Sequence, residues 1–580
     1  MLAANVPAPV RTDRVRKLLF TAVLALAACS PAPPVADKPQ APRIEGLGPT
    51  SVRISTRSAP AQRFFDQGIV LAWGFDHAEA ARAFAEAARL DPQCAMCEWG
   101  QAHALGPNIN HPERTHLEAA LVHTRRAVAL AANVTPREQA LIRAQALRFG
   151  LDADRPPATD PRVEPPAAIC VSRPPTTETD PLDFAYAQEM GRIAAQFPDD
   201  LDIALLHAEA LLLLAPWDWW SKAGAPREGT LAAIEVLQKI LARALAHPGA
   251  NHYLIHAYEG SPTPERALAA AERLGALVPI AGHLVHMPAH IFMRVGRYAD
   301  ATRANQAAID ADDRLAAQLR AQGFAPLGHM SHHQHFLWSS ASLQGRADLA
   351  LGAARALAEA AARPERPFGT EGSNDYFLVL PLFAQVRFSR WDEILAAPEP
   401  RGDTVYPRAV RHWARGIALA RSGNATDAQK ELAALDRALD DPSLPGKTWK
   451  GIDDLAALLA IAQASLRGEI ALARRQFDSA VDALHSAGEL EDALEAEEPP
   501  PWAFPARHEL GAALLLAGRA REAERVFRDD LKHHPANGWA LYGLAESLRR
   551  QGRRKEGEAV ARQFAEAWKA ADTVRPDLRY

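Results

Sequence analysis

The sequence has no excess of charge of either sign. Its 580 residues carry 65 Lys and Arg against 70 Asp and Glu, a formal charge of −5. No basic field exists to track a phosphate backbone, which excludes nucleic acid as a partner. The short signatures of common catalytic folds are also missing. There is no G-x-S-x-G, H-E-x-x-H, P-loop or dinucleotide fingerprint, which removes serine-hydrolase and nucleotide-dependent chemistry. Cysteine is scarce, at four residues. Membrane-like apolar sequence is confined to the N-terminus. The remainder, 48% apolar and 23% charged, has the composition of a folded chain.

At that terminus Arg11, Arg14, Arg16 and Lys17 precede an apolar run from Leu18 to Ala28, too short to span a bilayer as a stable helix. Residues 1–28 read as a signal peptide. The segment Leu26-Ala27-Ala28-Cys29 resembles the lipobox of bacterial lipoproteins. That resemblance implies acylation of Cys29 and attachment to a membrane through an N-terminal lipid anchor. Ser30 in place of Asp points to the outer membrane, facing the periplasm. Residues 29–56, rich in Pro and Ala, are expected to form a tether. Cys94, Cys97 and Cys170 then sit in an oxidising compartment, where three thiols cannot all pair within the chain.

A chain of this length is either several domains or a repeat array. In residues 61–92, Phe64, Gly68, Ala80, Phe84, Ala87 and Pro92 fall at positions 4, 8, 20, 24, 27 and 32 of a 34-residue unit. This is similar to the tetratricopeptide (TPR) repeat, whose small residues at 8 and 20 let paired helices approach. Leu510, Gly511, Ala523, Phe527 and Pro535 repeat the pattern near the C-terminus. The expected fold is all-α: a TPR-type solenoid of antiparallel helix pairs with about eleven degenerate units and no strand longer than a few residues. Units occupy 57–151, 183–400 and 401–580. The Pro-rich stretch 152–182, which carries Cys170, reads as a surface insert. The acidic stretch 489–501 reads as a solvated helix end and turn.

The chemistry lies in the central units, in HPGANHYLIHAYE, AGHLVHMPAHIFMRVGRY and GHMSHHQHFLW. With Ala267 and Ala301 at position 20 of their units, His252 and His286 both take position 5, and His256 and His290 take position 9. The spacings agree, since 286 − 252 = 34 and 290 − 256 = 34. His283 falls at position 2 and Glu259 at position 12. With Ala350 at position 20 of the next unit, His332 takes position 2 and His335 position 5. Side chains four apart share a helix face and can converge on one ion. In TPR proteins positions 2, 5, 9 and 12 of the first helix line the groove, which implies that these residues do so here. Neutral imidazole is the commonest ligand of zinc, copper and iron, and a carboxylate can complete a set. A polar groove lined by hydrogen-bonded histidines is the competing reading. Pro288 either starts a helix or kinks one between His286 and His290.

These blocks resemble a group of bacterial TPR-domain proteins in which similar segments recur in the same order, from about Phe64 to Ile394. The resemblance implies fold and domain extent without assigning a reaction. His333 stands where that group carries Asn. Cys94 and Cys97, at positions 2 and 5 of the second unit, join the groove candidates, although a structural disulfide or buried pair is the favoured reading of that C-x-x-C. Glu209 lies near position 9 of its unit. The cluster Trp217, Trp219 and Trp220 reads as the seal of a helix junction. Two functions follow. One is a metalloprotein, enzymatic or not, with zinc, copper or iron in the groove; the other is an interaction scaffold that grips a peptide or protein without metal.

Overall fold

Phe84 shows why these helices pair. Its ring is fully buried between Gly68 and Gly100, where an added Cβ would lie 2.6 and 2.4 Å from the ring. Phe527 sits in the same way between Gly511 and Gly543, at 2.4 and 2.2 Å. The glycines make the close approach and the phenylalanine fills it, so one aromatic locks its own unit to the next. Gly100→Val is accordingly expected to cost about 2–3 kcal/mol, read as a lowered urea midpoint. An unchanged midpoint would remove this packing rule.

The computed structural model describes residues 38–151, 180–326, 331–363, 371–399, 404–449, 453–494, 498–502 and 504–579. Residues Gln40–Tyr580 belong to one compact unit. The signal peptide, Cys29, Cys170 and nearly all of the 152–182 insert lie outside the described residues. Successive helices pair antiparallel as a TPR-type solenoid. Ala59–Trp73 packs on His77–Leu90, Pro248–Glu259 on Leu268–Leu277, Leu455–Ala473 on Phe477–Ala493, and Gly538–Arg550 on Arg554–Ala567. Among the described residues the only strands are Thr448–Trp449 and Asp453–Asp454, two residues each. Turn glycines such as Gly296, Gly345 and Gly423 adopt positive φ, which ends one helix and reverses the chain into the next. The core runs along the array as strings of buried side chains, one from Val52 to Phe336 and another from Leu337 to Ala506. Leu455–Ala473 is the one described helix long and apolar enough to cross a membrane, and 72% of it is buried, as in a core helix.

Two long-range contacts position the central units. The first unit touches the fifth, with Trp73 against Gly249 and His252. At the other end the C-terminal units fold back on the central ones: Trp539 Nε1 donates to the Ser342 carbonyl at 3.0 Å, and Asp572 accepts from the Ala347 and Asp348 amides. The expected tether is corrected over Gln40–Thr56. This segment is laid on the solenoid, with Ala41, Val52 and Ile54 buried. Its amides at Ile44 and Val52 donate to Gln67 and Asp66, because inward-facing apolar residues among the prolines give it a surface to bury.

Candidate metal centre

Helix Pro248–Glu259 is buried on every side, so each of its polar side chains must be satisfied within the protein. Pro248 occupies its first turn, where a missing amide proton costs nothing. His252 and His256, one turn apart, face the same way, with Nε2 atoms 3.0 Å apart. His283 from the next unit brings its Nε2 to 3.0 Å from that of His252. These three form a cluster whose ligand atoms all lie within 4.8 Å of one another. One unit further on, His286, His290 and His332 form a second such cluster. There the helix is broken at Met287 into Gly282–His286 and Pro288–Arg294. Pro288 therefore starts a helix, and the break still leaves the Nε2 atoms of His286 and His290 3.1 Å apart. The two clusters adjoin, with ring centroids of His256 and His290 6.3 Å apart and those of His283 and His286 6.1 Å apart.

The outward nitrogens fix the tautomers. His252 Nδ1 contacts the Trp73 carbonyl at 2.5 Å, and His256 Nδ1 contacts Glu259 Oε1 at 2.8 Å. His286 Nδ1 lies 2.6 Å from Asn305 Oδ1, whose amide nitrogen already donates to the Ala301 carbonyl. His290 Nδ1 meets Glu498 Oε2 at 2.8 Å. Each partner only accepts, so each Nδ1 carries the proton, and in the neutral ring Nε2 presents its lone pair inward. Two inward lone pairs 3 Å apart repel unless a proton or a cation lies between them. The spacing suits two nitrogens at about 2.0–2.1 Å from one ion.

The electrostatics separate the clusters. Burial, reinforced by neighbouring histidines, pushes His252, His283 and His286 well below the usual histidine range, which favours neutral rings able to ligate. Burial also opposes charge on His290, but Glu259 and Glu498 outweigh it and hold the ring up at about 9. Glu259 is fully enclosed, yet the charges of His290 and His256 more than offset burial and bring it down to about 2. Its Oε1 serves His256 in the first cluster, and its Oε2 lies 2.9 Å from His290 Nδ1 in the second. With that ring's proton directed to Glu498, Oε2 is left buried without a hydrogen bond.

Aromatic rings close the first cluster. Phe75 stacks on His256 at 5.3 Å and lies tilted against His252 at 4.5 Å and His283 at 5.3 Å, and Trp217 stands edge-on 5.4 Å from His256. Both residues hold left-handed backbone, φ 57° and 64°, a conformation costing about 1 kcal/mol or more for such side chains. The second cluster is different. His290 and His332 line a cavity of about 460 Å³ together with Glu259, Glu498, Trp217 and Trp502.

Not every sequence candidate reaches these clusters. His335 is a correction: its ring stacks on Trp338 at 5.5 Å and lies 3.4 Å from the Tyr376 hydroxyl, inside the second core string. His332, three residues earlier, points to the cluster in its place. His333 pairs with Asp312 at 2.7 Å. Cys94 and Cys97 are joined in a buried disulfide and stand apart from the clusters. Glu209 is also apart, buried and held up at about 7 by burial against the pull of Arg148. The tryptophan cluster does seal a junction, since Trp219 and Trp220 donate to the Leu212 and Ala257 carbonyls, but Trp217 covers His256 as well. Sequence reasoning missed Phe75, Asn305 and Glu498. Of these, only Asn305 carried a legible signal, lying four residues after Ala301 on a helix facing the cluster. The stretch holding Glu498 is no free turn at that residue, which reaches His290 across 208 positions.

No protein-family model matches the chain, and no curated protein matches it. Solved structures to which it is similar include a Naa15/Naa10 complex bound to HypK-THB, at 13% identity over 88% of this chain and 71% of that chain, with a TM-score of 0.23. A human IFIT1 dimer with PPP-AAAA matches at 12% identity over 85% and 94% of the two chains, with a TM-score of 0.31. The P58(IPK) TPR domain matches at 12% over 86% and 100%, with a TM-score of 0.21. Likeness at this level carries no function across, and the TPR-like architecture of this chain rests on its own helix pairs.

Proposed function

We propose that the protein is a metalloprotein with two adjacent three-histidine centres, one in each of two consecutive repeats. The observation that carries this reading is the tautomer pattern: four histidines give their Nδ1 protons to fixed acceptors and turn their Nε2 atoms toward one another at 3.0–3.1 Å. A ligating histidine is commonly oriented in this way, with its Nδ1 proton given to a fixed acceptor and its Nε2 turned to the ion. All-imidazole sets suit zinc, copper or iron. The first centre, closed under Phe75 and Trp217, fits a structural ion. The second, open to the cavity, fits an ion that meets a small molecule, and Glu259 links the two. Elemental analysis of protein purified without a histidine tag tests the proposal. About two equivalents of one transition metal are expected, and metal-free protein that also fails to take up zinc, copper or iron on dialysis rejects it.

We also infer an exported, lipid-anchored protein at the outer membrane, on the strength of the lipobox-like Cys29. Cys29→Ser is expected to abolish incorporation of labelled palmitate and to leave the precursor unprocessed. Normal processing and membrane retention of that variant would overturn the anchor.

A further inference from the structure

More acid gathers at His290 than its part in the second centre requires. Its Nε2 meets His286, while its Nδ1 faces two carboxylates, Glu498 Oε2 at 2.8 Å and Glu259 Oε2 at 2.9 Å. Nδ1 carries at most one proton, and a proton directed to Glu498 leaves Glu259 Oε2 buried without a hydrogen bond. Glu259 is 5% exposed, and its other oxygen already accepts from His256 Nδ1. A buried carboxylate oxygen to which nothing donates is unfavourable, the more so with a second carboxylate beside it. The ligand atoms of Glu259, His290 and Glu498 all lie within 4.8 Å of one another. Among the described residues neither carboxylate pairs with a Lys or Arg; their ion pairs are with His256 and His290. The cations of the neighbouring cavity wall are engaged elsewhere. Arg507 pairs with Asp492 and Asp529, Lys532 pairs with Asp529, and Arg294 donates to the backbone carbonyls of Glu259 and Ser261.

We propose that Glu259, Glu498 and His290 form a third cation site, which takes a divalent ion of the manganese type. The spacing fits, since adjacent ligands of an octahedral ion at about 2.1 Å are about 3.0 Å apart. Two carboxylates and one imidazole make a harder set than three imidazoles, so this site favours an oxygen-seeking ion where the histidine centres favour zinc, copper or iron. All three residues border the cavity of about 460 Å³, from which water completes the coordination and the ion exchanges. The bound ion takes the place of the Nδ1 proton, which leaves to solvent. With another ion at Nε2 the His290 ring bridges the two; without one, Nε2 keeps a proton and the third site is still complete. The site shares His290 with the second centre and does not depend on it.

The test is electron paramagnetic resonance of Mn²⁺ titrated into the full chain after chelation and reloading with about two equivalents of zinc. The sharp signal of free Mn²⁺ is expected to disappear for about one equivalent at about 0.1 mM ion. Glu498→Gln keeps an acceptor for the His290 proton and removes a charged ligand, so it is expected to weaken Mn²⁺ binding about 10-fold or more, with unchanged circular dichroism and zinc content. Asp492→Asn, on the same cavity wall, is expected to leave Mn²⁺ binding unchanged. Crystals soaked in manganese should show an anomalous peak between Glu259 Oε2, Glu498 Oε2 and His290 Nδ1. Absence of Mn²⁺ uptake overturns the proposal, as does equal affinity in the wild type and Glu498→Gln, an equal loss in both variants, or a peak elsewhere on the wall. Glu498-dependent Mn²⁺ binding by a chain that takes up no zinc keeps the third site and removes the three-histidine centres; zinc at both centres without Mn²⁺ binding does the reverse.

Discussion

His256→Ala and His290→Ala are each expected to lose about one of about two bound metal ions, while Glu259→Gln lowers the affinity of both centres about 10- to 100-fold. The first two residues belong to different clusters, so each deletion removes a ligand from one centre and leaves the other three-histidine set intact. Glu259 acts differently. It accepts the Nδ1 proton of His256 and lies against Nδ1 of His290, so a neutral amide weakens the orientation and basicity of a ligand in each centre at once. Helical content should persist in all three variants, because stability in a repeat array is spread over neighbouring interfaces. Elemental analysis beside far-ultraviolet circular dichroism reads the result. Full metal content in both alanine variants with native spectra would place the ions elsewhere.

The second large effect is acid lability of the metal-free protein. Burial pushes His77 and His103 down to about 3 and drives His252, His283 and His286 well down too. A histidine whose folded pKa is depressed stays neutral in the fold and takes up a proton on unfolding once the pH falls below about 6.5, so it favours the unfolded chain progressively under acid. Three buried carboxyls, Asp76, Glu209 and Glu491, raised to about 7 by burial, act in the opposite sense until the unfolded chain also protonates near pH 4.5. The depressed histidines outnumber the raised carboxyls, so stability is expected to fall with pH between about pH 6 and 4.5. The raised His290 does not offset this, since its contribution is fully present below pH 6.5 and is lost only as the pH rises toward 9. Urea midpoints of chelated protein at pH 7, 6 and 5 check the sign, and His77→Phe should reduce the slope by about one proton's worth. A midpoint that rises as the pH falls contradicts this.

The legible part of the site is a register. Each cluster consists of positions 5 and 9 of one unit and position 2 of the next: His252, His256 and His283, then His286, His290 and His332. The 34-residue offset that marked these histidines in the sequence is the offset between the two centres, so repetition of the fold generates repetition of the site. His335 misled because position 5 pairs with position 9 of its own unit, and position 9 here is Ser339; without a second histidine its ring lies in the aromatic core around Trp338, Tyr376 and Trp449. Glu498 was illegible for another reason. It reaches His290 because the C-terminal units fold back on the central ones, a tertiary fact that no local period encodes. The Trp73 carbonyl is a backbone group, invisible to any motif. Segment Gln40–Thr56 looked like a tether because its prolines were more conspicuous than Ala41, Val52 and Ile54, the side chains that bury.

Diffraction from crystals of the untagged protein, recorded above and below the absorption edge of whichever metal elemental analysis finds, tests the centre most directly. Two anomalous peaks are expected, one among the Nε2 atoms of His252, His256 and His283 and the other among those of His286, His290 and His332, with nitrogens at about 2.0–2.2 Å. Crystals soaked in zinc, copper and iron that show no peak at either cluster, while the imidazoles keep their 3.0–3.1 Å contacts, would contradict the metal centre and leave these histidines as a hydrogen-bonded lining of the solenoid.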